Sequence, residues 1–244
     1  MDAVVLIFSL AAVFVGAAVR GYTGFGSSMV WVSSLSLVLP PVVVIPAVYL
    51  LEVAASGHLM PKVSKEVDWR SLRWLLLGAF AATPVGLYAL ATVPAAPIRI
   101  AISLVVFTAT VLIWRGFAVA AIPGAKPAAA IGLVSGLLNG GTGIGGPPAI
   151  LFYFSSPAAV GISRASIIAF LLGIDVLAAA MAAVQGLFTA EVLVLALVLV
   201  VPVMLGITLG HRRFLHAEPE TFRRFSLILL AMLSVAVFLR AIFG

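Results

Sequence analysis

The feature that most constrains this chain is a set of long runs that contain no charged residue. The runs span residues 3–19, 27–51, 75–98, 127–163 and 192–210. A helix that crosses a hydrocarbon core of about 30 Å needs about 20 apolar residues, so several of these runs are long enough. Soluble domains carry about 25% charged residues, whereas this chain of 244 residues carries 9%. The sequence therefore predicts an all-α polytopic membrane protein without a soluble domain.

Glycine, proline and charged residues divide the chain into ten predicted helical segments. The segments span about residues 3–19, 27–39, 42–59, 72–92, 98–115, 127–138, 147–154, 161–184, 190–209 and 222–243. The sixth and seventh segments are too short to cross a bilayer. The positions of the charges are compatible both with two crossings here and with a hairpin that returns to the same face. Broken, hairpin-like helices are favoured in both halves.

An internal repeat is visible when residues 20–26 are aligned with residues 139–145. The first copy reads Arg-Gly-Tyr-Thr-Gly-Phe-Gly and the second reads Asn-Gly-Gly-Thr-Gly-Ile-Gly. With small insertions, the same alignment places Glu52 on Asp175. A duplication explains these matches, and it predicts one membrane domain made of two repeats, residues 1–119 and residues 120–244.

The basic loops predict that the two repeats are inverted. The most basic loop of the first repeat follows its third segment, whereas that of the second repeat follows its fourth segment. If the N-terminus is outside and every segment crosses, only Arg99 and Arg240 of the 14 basic residues lie outside. The net charge of +6 is therefore read as a topology signal, and no nucleic-acid partner is predicted.

The two glycine-rich turns are the predicted binding site for a small anion. Each turn precedes a helix, where unpaired N–H groups and partial positive charge favour an anion, and glycine lets the backbone approach it. The alternative is that glycine only permits close helix packing, as expected for Gly132, Gly136 and Gly140. The candidate substrate-binding residues are Arg20, Thr23, Gly24, Gly26, Ser27, Asn139, Thr142, Gly143, Gly145 and Gly146.

Glu52 and Asp175 are the acids that lie deep within apolar runs. A buried carboxylate at this depth is protonated, paired or exposed to water, so a proton-coupling role is one reading. The other reading is a packing hydrogen bond, or a salt bridge to Arg20 or Arg164.

Enzymatic and cofactor signatures are missing from the sequence. The chain has no cysteine, no Gly-x-Ser-x-Gly and no His-Glu-x-x-His motif. A glycine pattern at Gly141, Gly143 and Gly146 resembles a dinucleotide fingerprint but lacks the preceding strand which that fingerprint needs. We therefore expect no catalytic residue, no metal and no cofactor.

The duplicated Thr-Gly-x-Gly turn in a membrane protein of this length resembles the TauE/SafE sulfite exporter family. Residues 139–148 carry most of the resemblance, whereas the first copy departs from the family's glycine-richer form at Ser27 and Ser28. The resemblance implies secondary export of sulfite or an organosulfonate across a prokaryotic inner membrane. An anion channel and a non-transporting scaffold or assembly subunit remain alternatives. The predicted partners are a small anion and the lipid bilayer, and a homo-oligomer is left open.

Overall fold

The computed structural model describes residues 2–115, 124–154, 160–214 and 219–243, without the side chains of Thr23, Phe154, Val160 and most of residues 211–230. In these residues the regular structure consists of ten α-helices and one 3-10 turn, Ser64–Glu66. The helices are α1 Ala3–Thr23, α2 Ser27–Leu35, α3 Pro41–Val63, α4 Trp69–Thr92, α5 Ala95–Trp114, α6 Ala125–Thr142, α7 Gly146–Phe154, α8 Val160–Val184, α9 Ala190–Phe214 and α10 Pro219–Phe243. The expected all-α polytopic architecture is confirmed.

Among the described residues, six helices are long and apolar enough to cross a membrane: α1, α3, α4, α5, α8 and α9. By contrast, α2 and α7 have nine residues each. At 1.5 Å per residue such a helix is about 13 Å long, so neither can cross a bilayer alone. Both are short helices that follow a glycine-rich turn, as the sequence predicted.

The predicted sixth segment is wrong in length. It was expected to end near residue 138, but α6 continues to Thr142. Glycines usually indicate a helix end, yet Gly140 and Gly141 lie inside α6 because they face another helix at close range. The boundary predicted between residues 119 and 120 lies outside the described residues.

Local sequence explains where several helices begin. The side chain of Asp68 accepts hydrogen bonds from the backbone N–H groups of Arg70 and Ser71, which caps α4. Pro41 occupies the first turn of α3, where a missing N–H costs nothing. The buried core includes Trp31 of α2, whose Nε1 donates to the carbonyl oxygen of Val13 at 2.8 Å. The short helix α2 is thereby tied to α1.

Glycines bring helices of the two predicted repeats into backbone contact. A Cβ added at Gly132, Gly136 or Gly140 of α6 would lie 2.1, 2.2 or 2.3 Å from a carbonyl oxygen of α4. The glycines contact Leu75, Ala79 and Thr83 in that order, so the residue numbers increase in the same direction along both helices. The helices α4 and α6 are therefore parallel.

The same arrangement joins α1 to α9. A Cβ at Gly206 would lie 2.6 Å from the carbonyl oxygen of Phe14, and one at Gly210 would lie 2.2 Å from that of Ala18. These numbers also rise together, so α1 and α9 are parallel. In both pairs, the first long helix of one predicted repeat packs against the helix that corresponds to α4 in the other.

Candidate functional site

The first turn, residues 20–26, comprises the end of α1 and the link to α2, and it requires glycine at two positions. Gly24 and Gly26 have φ angles of +88° and +89°, in the left-handed region that side chains with a Cβ disfavour. The N–H of Gly24 donates to the carbonyl oxygen of Arg20 at 2.7 Å and so ends α1. A Cβ at Gly24 would also lie 2.9 Å from Cγ of Arg164.

A buried polar cluster lies at this turn. Nη1 of Arg20 donates to Oε2 of Glu52 in an ion pair, and to Oγ of Ser27 at 2.9 Å. The hydroxyl of Ser27 donates to Oε1 of Glu52, so both carboxylate oxygens are used. Nη2 of Arg20 donates to Oγ of Ser56. Arg20 is fully buried, and Glu52 is 1% exposed.

One donor of this cluster remains unused. Nε of Arg20 is buried, and no described residue accepts a hydrogen bond from it. Buried polar groups in native proteins are nearly always paired, so such a donor calls for an explanation. Arg20 adjoins the start of α2, and no described side chain caps that helix at Gly26. The arrangement places an unused hydrogen-bond donor and the start of a helix beside an arginine that is paired with Glu52.

The second turn, residues 139–145, makes a corresponding hydrogen-bonded pair in which a neutral side-chain amide stands in the place of the arginine. Gly143 has a φ of +68°, and its N–H donates to the carbonyl oxygen of Asn139 at 2.8 Å. The side-chain amide of Asn139 donates from Nδ2 to Oδ1 of Asp175 at 3.0 Å. Its Oδ1 accepts from the N–H of Gly145 at 3.1 Å. Asn139 therefore contacts Asp175 just as its counterpart Arg20 contacts Glu52.

The two clusters are close to each other. Glu52 and Arg20 both interact electrostatically with Asp175. A Cβ at Gly143 would lie 3.1 Å from Ile45 of α3 and 3.3 Å from Val32 of α2, both in the first predicted repeat. The second turn therefore packs against helices of the first predicted repeat.

The sequence of the chain matches a protein-family model over most of its length. The family model described as "Sulfite exporter TauE/SafE" matches residues 8–237. The chain belongs to the TauE/SafE family. A relative from Cupriavidus necator, named "Probable sulfite/organosulfonate exporter TauE", is 27% identical over 229 residues, which cover 90% of this chain and 88% of the relative. No solved structure gives a significant match.

Membership in the TauE/SafE family and six apolar helices make this chain a multi-pass membrane protein of a family of exporters. The described residues contain no group of three or more His, Cys, Asp or Glu side chains that could hold a metal ion. The TauE/SafE match, residues 8–237, includes both glycine-rich turns.

Other candidate residues of this TauE/SafE protein have different settings. The hydroxyl of Thr142 donates to the carbonyl oxygen of Leu138 at 2.7 Å, within its own helix. Gly146 begins α7, but the following Pro147 and Pro148 have no N–H to offer. The side chain of Thr23 lies outside the described residues. The first turn therefore has more hydrogen-bond donors than the second.

The sequence analysis missed Tyr49 at the site, and it named Arg164 only as a possible salt-bridge partner of the buried acids. The hydroxyl of Tyr49 donates to the carbonyl oxygens of Asn139 and Gly140, at 2.7 and 3.1 Å. Nη2 of Arg164 donates to the carbonyl oxygen of Gly21 at 3.3 Å. Tyr49 lies three residues before Glu52, on the same face of α3, and that spacing is the signal which could have identified it.

Proposed function

We propose that this protein is a secondary transporter that exports a small sulfur-containing anion, sulfite or an organosulfonate, across the inner membrane. The TauE/SafE match and the printed name of the Cupriavidus necator relative support this substrate class. The chain contains no ATP-binding motif, so the gradient of the anion itself or of a coupled ion drives the transport.

The observation that carries the proposal is the buried arginine in the last turn of α1, Arg20, which adjoins the start of α2. Arg20 supplies full positive charge, and its unpaired Nε and the uncapped helix start supply donors for an oxyanion. A hydrogen bond from a charged donor contributes about 1.5–3 kcal/mol, or roughly tenfold to a hundredfold in affinity. In this proposal, the anion binds nearer the first turn than the second.

Inverted repeats would give the protein two alternating states, one open to each side of the membrane. The directions of the helices support inverted repeats. The parallel pairs α4–α6 and α1–α9 fix these helices relative to each other. Arg99 near the start of α5 lies close enough to Arg240 near the end of α10 to interact electrostatically, so α5 and α10 are antiparallel. If helices joined by short loops are antiparallel, each long helix of the first repeat runs opposite to its counterpart in the second. Rocking of such repeats about a central site is a common transport mechanism.

The first test is anion binding and flux with purified protein. Sulfite, thiosulfate, sulfate, sulfoacetate, taurine and carboxylates would be screened for thermal stabilisation, and bound anions would be tested for flux into liposomes. We expect stabilisation by the sulfur oxyanions and saturable flux. Flux that rises without saturation would favour a channel, and a folded protein that binds none of the anions would favour a scaffold.

Three variants test whether the two turns form the site. We expect Arg20→Gln, Gly24→Ala and Gly143→Ala to weaken binding, because they remove charge or add a Cβ at a left-handed residue. Gly57→Ala is the matched control, since a Cβ at Gly57 would meet nothing within 4 Å. If the three variants fold and bind anions as the parent does, the proposed site is wrong.

A further inference from the structure

The carboxylate of Glu52 is bound in the manner of a substrate anion. Its two oxygens accept hydrogen bonds from Nη1 of Arg20 and from the hydroxyl of Ser27. These are donors that a sulfite or sulfonate oxygen would use in the same place. Ser56, which was not among the candidate residues, completes the group by accepting from Nη2.

We propose that Glu52 is a built-in competitor of the transported anion for Arg20 and Ser27, so that each anion bound requires Glu52 to take up one proton. The inference rests on the proposed function and names the coupling at its site. In the resting site the carboxylate neutralises Arg20. When a solution proton converts Glu52 to the neutral acid, Arg20 and the Ser27 hydroxyl become available to the anion.

The charge balance of the cluster is the reason for this coupling. With Glu52 ionised, an arriving anion would share one arginine with a second carboxylate in a buried, water-poor place, where like charges repel strongly. Protonation of Glu52 removes that repulsion and restores a one-to-one pairing of Arg20 with a negative group. Proton and anion therefore bind together.

The charged and titratable groups around Glu52 come from several helices. Arg20 faces it from α1, Asp175 interacts with the cluster from α8, and Tyr49 lies one turn away on α3. The short helix α2 contributes the hydroxyl of Ser27 and has no charged residue. Arg164 of α8 reaches the first turn, where its Nη2 donates to the carbonyl oxygen of Gly21. The other charged side chains that the structure describes on elements packed against α3 lie at or near the ends of those elements: Arg99 of α5, which is bound to the carbonyl oxygen of Ser36, Glu191 of α9, Lys65 and Glu66 of the 3-10 turn, and Arg70 and Arg73 of α4.

Asp175 has a different environment, and we assign it a positioning role. Its Oδ1 accepts from the amide of Asn139, whose own oxygen holds the N–H of Gly145. Asp175 thus orients the second turn through the neutral amide of Asn139, whereas Glu52 forms an ion pair with the guanidinium of Arg20. This difference identifies Glu52 as the acid whose proton is tied to the substrate.

The test measures methanesulfonate binding between pH 5 and pH 9, because the charge of this anion does not change in that range. We expect the affinity of the parent to fall about tenfold for each pH unit on the alkaline side. Glu52→Gln should bind with the same affinity at every pH, near the acidic limit of the parent. The matched control Glu191→Gln changes an exposed acid of α9 and should keep the slope of the parent.

A second measurement avoids dependence on a variant that folds poorly. Calorimetry of the parent in buffers of different ionisation enthalpy counts the protons taken up per methanesulfonate bound, and we expect one on the alkaline side. Binding without pH dependence, or without proton uptake, would overturn the coupling while leaving the proposed anion site intact. If the parent binds neither methanesulfonate nor sulfite at any pH, the proposed function fails as well.

Discussion

Adding a methyl group at Gly136 should separate α6 from α4 and lower the stability of the protein. A Cβ there would lie 2.2 Å from the carbonyl oxygen of Ala79 and 2.7 Å from its Cα. Ordinary contact begins near 3.4 Å, so the two backbones would have to move apart by about 1.2 Å. A flexible side chain could rotate away, but the obstacle here is the main chain of α4.

The magnitude follows from two opposing effects. Overpacking a close interface costs about 1–3 kcal/mol, whereas replacing a helical glycine by alanine gains about 0.5–1 kcal/mol. Because backbone faces backbone along this part of α6, we expect the cost to dominate. The free energy of unfolding of Gly136→Ala should fall by about 1–2 kcal/mol relative to the parent.

The assay is unfolding by SDS titration in mixed micelles, followed by circular dichroism. Gly141→Ala is the matched control in the same helix, since its Cβ would lie 3.5 Å from the nearest atom, the carbonyl oxygen of Gly86. We expect this control to be as stable as the parent or slightly more stable. Equal stability of the two alanine variants would refute the view that the glycines fix the helix separation.

Two further predictions concern the links between the predicted repeats and their orientation. Tyr49→Phe removes the hydroxyl that donates to two carbonyls of the second turn, and should lower the free energy of unfolding by about 1 kcal/mol; Tyr88→Phe, at an exposed residue, should not. Cysteines introduced at Lys65 and at His216, in a chain that has none, should react with impermeant reagents from the same side of the membrane. Reaction from opposite sides would contradict the inverted repeats.

The sequence predicted the helices better than it predicted their contacts. Apolar runs divided by glycine, proline and charged residues indicated the ten helices of the described residues, and glycine-rich turns indicated where α1 and α6 would end before short helices. The length of α6 was misjudged because glycine has the same signature at a helix end and at a close helix contact. The two cases can be distinguished only when the position of α4 next to these glycines is known.

The polar site was predicted as a set of residues, but its pairings were not. Glu52 and Asp175 stood out as buried acids, yet a salt bridge to Arg20 and one to Arg164 were equally open. The choice depends on how α1 and α3 are rotated about their axes. The sequence does not show this rotation, because a membrane helix is apolar on all of its faces. The partners of Tyr49 were out of reach for the same reason, since they are backbone carbonyls of a distant segment.

The glycine contacts between α1 and α9 and between α4 and α6 have a consequence for biogenesis. The ribosome completes α1 and α4 well before their partners α9 and α6 exist, so the faces that later touch backbone to backbone first meet lipid or the insertion machinery. Phe14 and Ala18 of α1 are synthesised 192 residues before Gly206 and Gly210, the glycines that they contact. The membrane domain therefore closes only late in synthesis, and a chain that stops after the first repeat leaves both of its long contact faces without partners.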